Sequence, residues 1–217
     1  MYIDLTHCLN SKIPVYPGTP KIAFNRVNTV EVDGFQETKI DLMSHMGTHM
    51  DAPAHMLSDG KYLNEYDISK FIGNAYAIDV SNNRNNEISK GIIEEKLEKI
   101  EDIDYLLLYT GFCKYFFDEK YFKNFPILSN EATEYIAKKV KKGIGIDAIS
   151  VDQIDSKAFN NHNILLKNDL VIVENLKCFK DLCGQIFKLY VFPLKYIDAD
   201  GAPVRAVAER ENIIWEK

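Results

Sequence analysis

A chain of 217 residues, 46% hydrophobic and 27% charged, has the make-up of an ordinary globular protein and enough length for one sizeable core. Its net charge of −6, with Lys and Arg spread along the chain rather than gathered in a stripe, excludes an electrostatic nucleic-acid surface. No apolar run approaches the roughly 20 residues that span a bilayer, which excludes a membrane helix.

In chain order, Tyr2–Thr6 reads as a first strand, followed by the Pro-rich loop SKIPVYPGTP with Tyr16 at its centre. Residues 22–32 and 36–43 are β-rich, and Asp33-Gly34 between them is a hairpin signal. Residues 45–57 fit neither the helical nor the strand period. Residues 75–80 form an apolar run, SNNRNNE is a polar loop, and residues 88–100 place Ile92, Ile93, Leu97 and Ile100 on one helical face. Residues 105–109 read as a buried strand. Residues 130–142 read as a helix with Ser129 or Asn130 as cap and a Lys-rich last turn that meets Gly143. A short strand over 145–150, a weak helix over 156–167 and strands over 170–174, 185–192 and 203–208 complete the chain. Hairpin-like runs come first and strand–helix alternation later. The expectation is an α/β fold: one compact domain over 1–217 with a mixed β-sheet and packed helices.

Cys8, Cys113, Cys178 and Cys183 contain no C-x-x-C pair, and MYIDLTHCLN lacks the basic-then-apolar pattern of a signal peptide. Four free thiols in a reducing cytoplasm are expected.

The chain holds five histidines, and three fall inside HMGTHMDAPAH, at His45, His49 and His55, with Asp51 among them. Neutral imidazole and carboxylate are the donors that Zn(II) and Mn(II) take. Residues four apart on a straight strand are roughly 13 Å apart, too far for His45 and His49 to share an ion. Gly47 and Pro53 argue against a stable helix, so a folded loop or single turn bent at Gly47 is expected. His49 and Asp51 can still point the same way from a short extended piece. Further ligands must come from elsewhere. His162 precedes the strand LVIVE, which ends on Glu174, and a carboxylate there needs a partner. His7 reads as structural.

HMGTHMDAPAH resembles the H-x-G-T-H-x-D-x-P-x-H signature of the cyclase-like metal hydrolases, which include the bacterial kynurenine formamidases (arylformamidases) and the isatin hydrolases. DLTHCLNSKIPVYPGTP, LLLYTGF, GIGIDAISVD, HNILLKNDLVIVENL and DGAPVRAVA resemble further family blocks in the same order. The resemblance implies that His45, His49 and Asp51 are metal ligands, and that His162 and Glu174 hold a second ion bridged by Asp51. It makes His55 the catalytic acid/base, and it implies a homodimer. Up to two zinc ions per chain are expected, with manganese as the alternative. The substrate expected is a small-molecule amide, N-formylkynurenine first and a cyclic amide such as isatin second. The family's opening segment often brings a Trp to the substrate pocket; here Tyr16 holds that stretch. A metal-binding protein without turnover is the reading of another class. A serine hydrolase is disfavoured by the lack of a G-x-S-x-G elbow.

Overall fold

The computed structural model of the chain describes residues 1–83 and 86–210. Trp215 and the middle of the polar 81–87 loop lie outside the described residues. The strands in chain order are β1 (Tyr2–Asp4), β2 (Ala23–Asn28), β3 (Glu37–Asp41), β4 (His49–Asp51), β5 (Ile72–Asp79), β6 (Glu87–Ile88), β7 (Ile103–Tyr109), β8 (Ile127–Leu128), β9 (Val140–Ile146), β10 (Val171–Glu174), β11 (Ile186–Pro193) and β12 (Gly201–Glu209). The helices are α1 (Val30–Asp33), α2 (Lys90–Leu97), α3 (Asn130–Lys139) and α4 (Asn160–Lys167).

The run Leu106-Leu107-Leu108 on β7 is apolar on both faces because both are covered. Leu106 and Leu108 join Ile144, Ile146 and Ile172 beneath the helices, while Tyr105 and Leu107 turn the other way, toward Ala75, Ala77, Val173 and Ala206. The second face is the inside of a barrel. The strands run β1-β12-β11-β5-β7-β9-β10-β4, and β4 pairs again with β12, so the sheet closes on itself and β1 lies outside the ring. Pairings from β5 through β7 and β9 to β10 are parallel; those of β10 with β4, β4 with β12, β12 with β11 and β11 with β5 are antiparallel. Small side chains at Ala75, Ala77, Ala202, Ala206 and Ala208 leave the lumen room for Tyr105 and Phe187, as a small barrel requires.

The mixed sheet agrees with the sequence expectation, but the wall is more β than foreseen. Among the described residues only α2, α3 and α4 form a helical layer, packed side by side with α3 on β9 and α4 on β10. Helix α3 stops at Lys139, and Lys141, Lys142 and Gly143 belong to β9 rather than to a helix end. The reason is tertiary: Gly143 pairs with both Tyr105 and Val171, and a Cβ there would lie 2.5 Å from the Val171 carbonyl oxygen. The strand expected over 145–150 ends at Ile146, because the Asp147 carboxylate turns away to accept the backbone N–H groups of Thr110 and Gly111.

Strands β2 and β3 pair as expected, but Asp33-Gly34 is not a two-residue turn. It ends the single helical turn α1, with Gly34 at φ 79° as its left-handed cap. The cysteine expectation is also corrected. The fold brings Cys113, after β7, to a Cα distance of 5.4 Å from Cys178, after β10, and they form a disulfide; Cys8 and Cys183 are free. Among the described residues no helix is long and apolar enough to cross a membrane.

Candidate metal centre

Strand β4 carries the site. Met50 points into the barrel, so His49 and Asp51 point to the other face, the one overlain by helices. On β10, Glu174 lies opposite His49 and Ile172 opposite Asp51, which puts Glu174 on that same face. Helix α4 packs over β10 and brings His162 down from above. His45 precedes β4 and is folded back by Gly47 at φ 63°, so that its ring centroid lies 5.3 Å from that of His49. The bend at Gly47 matches the expectation, and residues 49–51 are the short extended piece from which His49 and Asp51 point the same way. The short 3-10 turn Pro53–His55 then swings His55 back over His45, with ring centroids 3.8 Å apart.

These groups converge on the Asp51 carboxylate, which is 1% exposed. Its Oδ1 lies 2.7 Å from His45 Nδ1 and 3.3 Å from His49 Nε2. Its Oδ2 lies 3.7 Å from His162 Nε2 and is buried without a hydrogen-bond partner. Glu174 stands 3.5 Å from both His49 Nε2 and His162 Nε2. The structure thus gathers all five proposed ligands, in two sets that share Asp51: His45, His49 and Asp51, and Asp51, His162 and Glu174.

The far nitrogens of the three rings show how the near ones are prepared. His49 Nδ1 is 2.9 Å from the Gly47 carbonyl oxygen, His162 Nδ1 is 2.7 Å from Asp152 Oδ2, and His45 Nε2 is 2.9 Å from Asp200 Oδ2. When each far nitrogen donates its N–H to that acceptor, the near nitrogen presents a lone pair toward Asp51 and Glu174. Histidines that ligate metals are backed in this way. Backed imidazoles, a buried carboxylate oxygen without a partner and a second buried carboxylate are a donor set that fits a divalent cation.

Electrostatics agree. Burial opposes charge on His45, but hydrogen bonds to Asp200 and Asp51 outweigh it and push its pKa up to about 10. Burial opposes charge on His162 too, and Asp152, Asp51 and Glu174 raise its pKa well above the usual value. The Asp51 carboxyl is held well below its usual range: burial alone would raise it, and His49, His162 and His45 overcome that. This surplus of buried negative charge, which stabilises protons on the rings, equally stabilises a metal cation.

His55 differs from the other three. Its ring nitrogens make no hydrogen bond among the described residues; the nearest carboxylate oxygen, Asp200 Oδ2, is 3.8 Å from Nδ1. Burial pushes its pKa down to about 4, against the attraction of Asp51 and with help from the His45 and His162 charges. The ring borders a cavity of about 370 Å³ with Met43, Met56, Ile149 and Phe159 on its walls. Tyr16 also lines this cavity, and its hydroxyl donates to the Ile154 carbonyl oxygen at 2.8 Å. His7 lies apart, its ring stacked on Phe116 at 3.6 Å.

Three contributors carried no signal in the sequence. Asp152 and Asp200 back the histidines. Asn175 donates to the Gly47 carbonyl oxygen and accepts from the Tyr121 hydroxyl, which fixes the bend beneath His49. Asp152 and Asp200 fall in loop-like sequence, inside GIGIDAISVD and DGAPVRAVA, and the likeness of those blocks to family blocks gave neither residue a role.

Comparison with known proteins follows the same line. The Cyclase family model matches residues 3–153. The chain belongs to the cyclase family. It is 33% identical over 207 residues to the kynurenine formamidase of Bacillus cytotoxicus, covering 95% of this chain and 96% of the relative. To the Bacillus anthracis kynurenine formamidase it is 34% identical over 212 residues, with the same coverage. Among solved structures, an isatin hydrolase bound to the product analogue thioisatinate superposes with a TM-score of 0.85 at 25% identity, over 95% of this chain and 91% of that one. A structure described as a potential metal-dependent hydrolase with cyclase activity gives 0.81 at 26% identity, over 98% and 99%. This member of the cyclase family is an enzyme of the metal-dependent hydrolase type, with a His/Asp/Glu cluster able to hold a metal.

Proposed function

We propose that the chain is an amide hydrolase of the arylformamidase kind, hydrolysing N-formylkynurenine to kynurenine and formate. The observation that carries the reading is the Asp51 carboxylate, whose Oδ2 is buried without a partner between two backed histidine sets at the floor of an aromatic-lined cavity. His45, His49, Asp51, His162 and Glu174 are the residues that would hold metal, with Asp51 shared between two positions. Zinc is the expected ion and manganese the alternative. A divalent metal bound there supplies Lewis acidity, polarising a carbonyl and acidifying water toward neutrality.

The chain's own groups do the rest. Met43, Met56 and Phe159 shield the cavity and help exclude bulk water from the reacting carbonyl. His55 Nδ1 or Nε2 takes the proton that the attacking water loses as it adds to the formyl carbon. When the C–N bond breaks, the same imidazole returns that proton to the leaving nitrogen, giving the free amine and formate. Such transfer is worth about 10²–10⁴-fold.

A second reading, opening of a cyclic amide such as isatin, is favoured by the superposition on the thioisatinate-bound isatin hydrolase. Homodimer assembly belongs to the same reading, on the family resemblance of the opening segment. Elemental analysis followed by parallel assays on N-formylkynurenine and isatin tests the proposal. Bound zinc or manganese with faster turnover of N-formylkynurenine is expected. Faster turnover of isatin would replace the first reading by the second, and metal-loaded protein inert on both would refute both.

A further inference from the structure

Phe159 breaks two local rules at once. It occupies the N-cap of α4, where Ser, Thr, Asp or Asn would satisfy the first helical N–H groups, and it offers no side-chain cap. It also sits at φ 44°, ψ 50°, a left-handed conformation that suits Gly or Asn and strains a bulky side chain. The fold works around both. Asp152 supplies the missing cap from outside the helix, accepting from the N–H groups of Asn161 and His162. Ser156 Oγ accepts from the Phe159 N–H, and Asn163 donates twice to its carbonyl oxygen, through its backbone N–H and Nδ2. A strained residue held by so many contacts, where a better local choice exists, marks a place where side-chain position matters more than helix stability.

What the strain achieves is the direction of the ring. Phe159 lines the cavity beside the metal centre, edge-to-face with His162 at a centroid separation of 6.1 Å and an interplanar angle of 86°. The segment leading to it is tied to another lining residue by the hydrogen bond from the Tyr16 hydroxyl to the Ile154 carbonyl oxygen. Two aromatic rings are thereby fixed on the wall, one by backbone strain and one by its own hydroxyl, and no charged side chain belongs to that pair. A rigid aromatic wall favours a flat aryl group over a flexible alkyl chain of similar size.

We propose that Phe159 is a specificity-determining residue that selects substrates with an aryl group on the nitrogen or carbonyl side of the scissile amide. This rests on the amidase reading above. The test compares metal-loaded wild type with Phe159→Asn, Phe159→Leu and Phe159→Tyr. Asn suits the left-handed backbone, and Asp152 keeps the cap, so the Phe159→Asn protein should melt no lower than wild type, whereas loss of a structural Phe would lower its melting temperature. The kcat/KM ratio of formanilide over N-propylformamide should fall about ten-fold in Phe159→Asn and Phe159→Leu and hold in Phe159→Tyr. Calorimetric binding of 2-aminoacetophenone should weaken by a similar factor in the first two variants. If wild type hydrolyses both formamides and the ratio does not move in the variants, the role of Phe159 is refuted and the amidase reading stands. If wild type hydrolyses neither formamide, the amidase reading falls and this proposal falls with it.

Discussion

Asp152→Asn separates a metal-preparing role from a helix-capping one. Asp152 is 4% exposed; its Oδ2 accepts from the His162 backbone N–H at 3.0 Å and lies 2.7 Å from His162 Nδ1, while Oδ1 accepts from the Asn161 N–H at 3.1 Å. The two backbone N–H groups need an acceptor, and the Asn side chain keeps one acceptor and gains an NH2 that can serve neither of them. If the NH2 faces His162, the ring moves its proton to Nε2, which then points an N–H at Asp51 and Glu174 instead of a lone pair. A hydrogen bond to a charged acceptor is worth about 1.5–3 kcal/mol. At about 1.4 kcal/mol per decade this is about 10–100-fold in metal affinity, the range found when a ligand's backing group is removed. If the NH2 faces Asn161 instead, the loss appears as a weakened cap on α4, about 0.5–2 kcal/mol of stability. Chelator-competition titration reads the first effect, and urea unfolding of the metal-free protein reads the second. Wild-type metal affinity together with lowered stability would show that Asp152 is only a cap and refute the tautomer argument.

Three further outcomes are expected. His55→Ala should keep its metal and lose about 10²–10⁴-fold in turnover, whereas His49→Ala should lose metal and activity together; equal metal loss in both, measured by elemental analysis, would make His55 a ligand. His7 is pushed down from 6.5 to about 4, first by burial and then by the Lys177 charge. As pH falls below 6.5 the unfolded chain takes up a proton that the folded one refuses, so this contribution to stability is full above pH 6.5 and is lost on the way to pH 4. After allowance for screening of a half-buried ring the loss is about 1–2 kcal/mol. Urea midpoints of His7→Phe should therefore show a shallower acid limb than wild type, and identical limbs would contradict the assignment. Gly143→Ala places a Cβ 2.5 Å from the Val171 carbonyl oxygen and 2.9 Å from the Tyr105 ring, so unfolding in urea should reveal a loss of about 1–3 kcal/mol; wild-type stability would mean that β9 and β10 separate at no cost.

Much of the site was legible because its chemistry is concentrated. His45, His49, Asp51 and His55 lie within eleven residues, and the apolar run into Glu174 exposes that carboxylate as an anomaly. The backing groups were not legible, because Asp152 and Asp200 look like any loop aspartate until α4 and His45 are placed beside them. Phe159 was invisible for the opposite reason. Its sequence context reads as a weak helix start, and only the backbone angle shows that a capping position has been given to a ring. The end of α3 misled because a Lys-rich turn followed by Gly143 is the local signature of a helix stop. Pairing of β9 with two neighbours overrode it, and that information lies far off along the chain, at Tyr105 on one side and Val171 on the other.

The closure of the barrel was the least legible feature, and it explains why the site is built where it is. Strand β4 is only His-Met-Asp, too short to show an alternating pattern, yet it pairs with β10 on one side and β12 on the other. Asp51 is therefore opposite Ile172 and opposite Gly201 at once. That double pairing fixes the backbone beneath a buried carboxylate that would otherwise turn toward water, since burying an unpaired charge is costly. Gly201 is part of the same device: a Cβ there would lie 2.3 Å from His45 Cε1, so the strand that clamps Asp51 must also be bare where the His45 ring passes over it. Met50 between the two polar residues anchors the strand in the lumen. The three residues that seal the sheet are thus divided by the strand period, one for the core and two for the candidate metal centre, and the placement of His49 and Asp51 comes from a strand held on both edges.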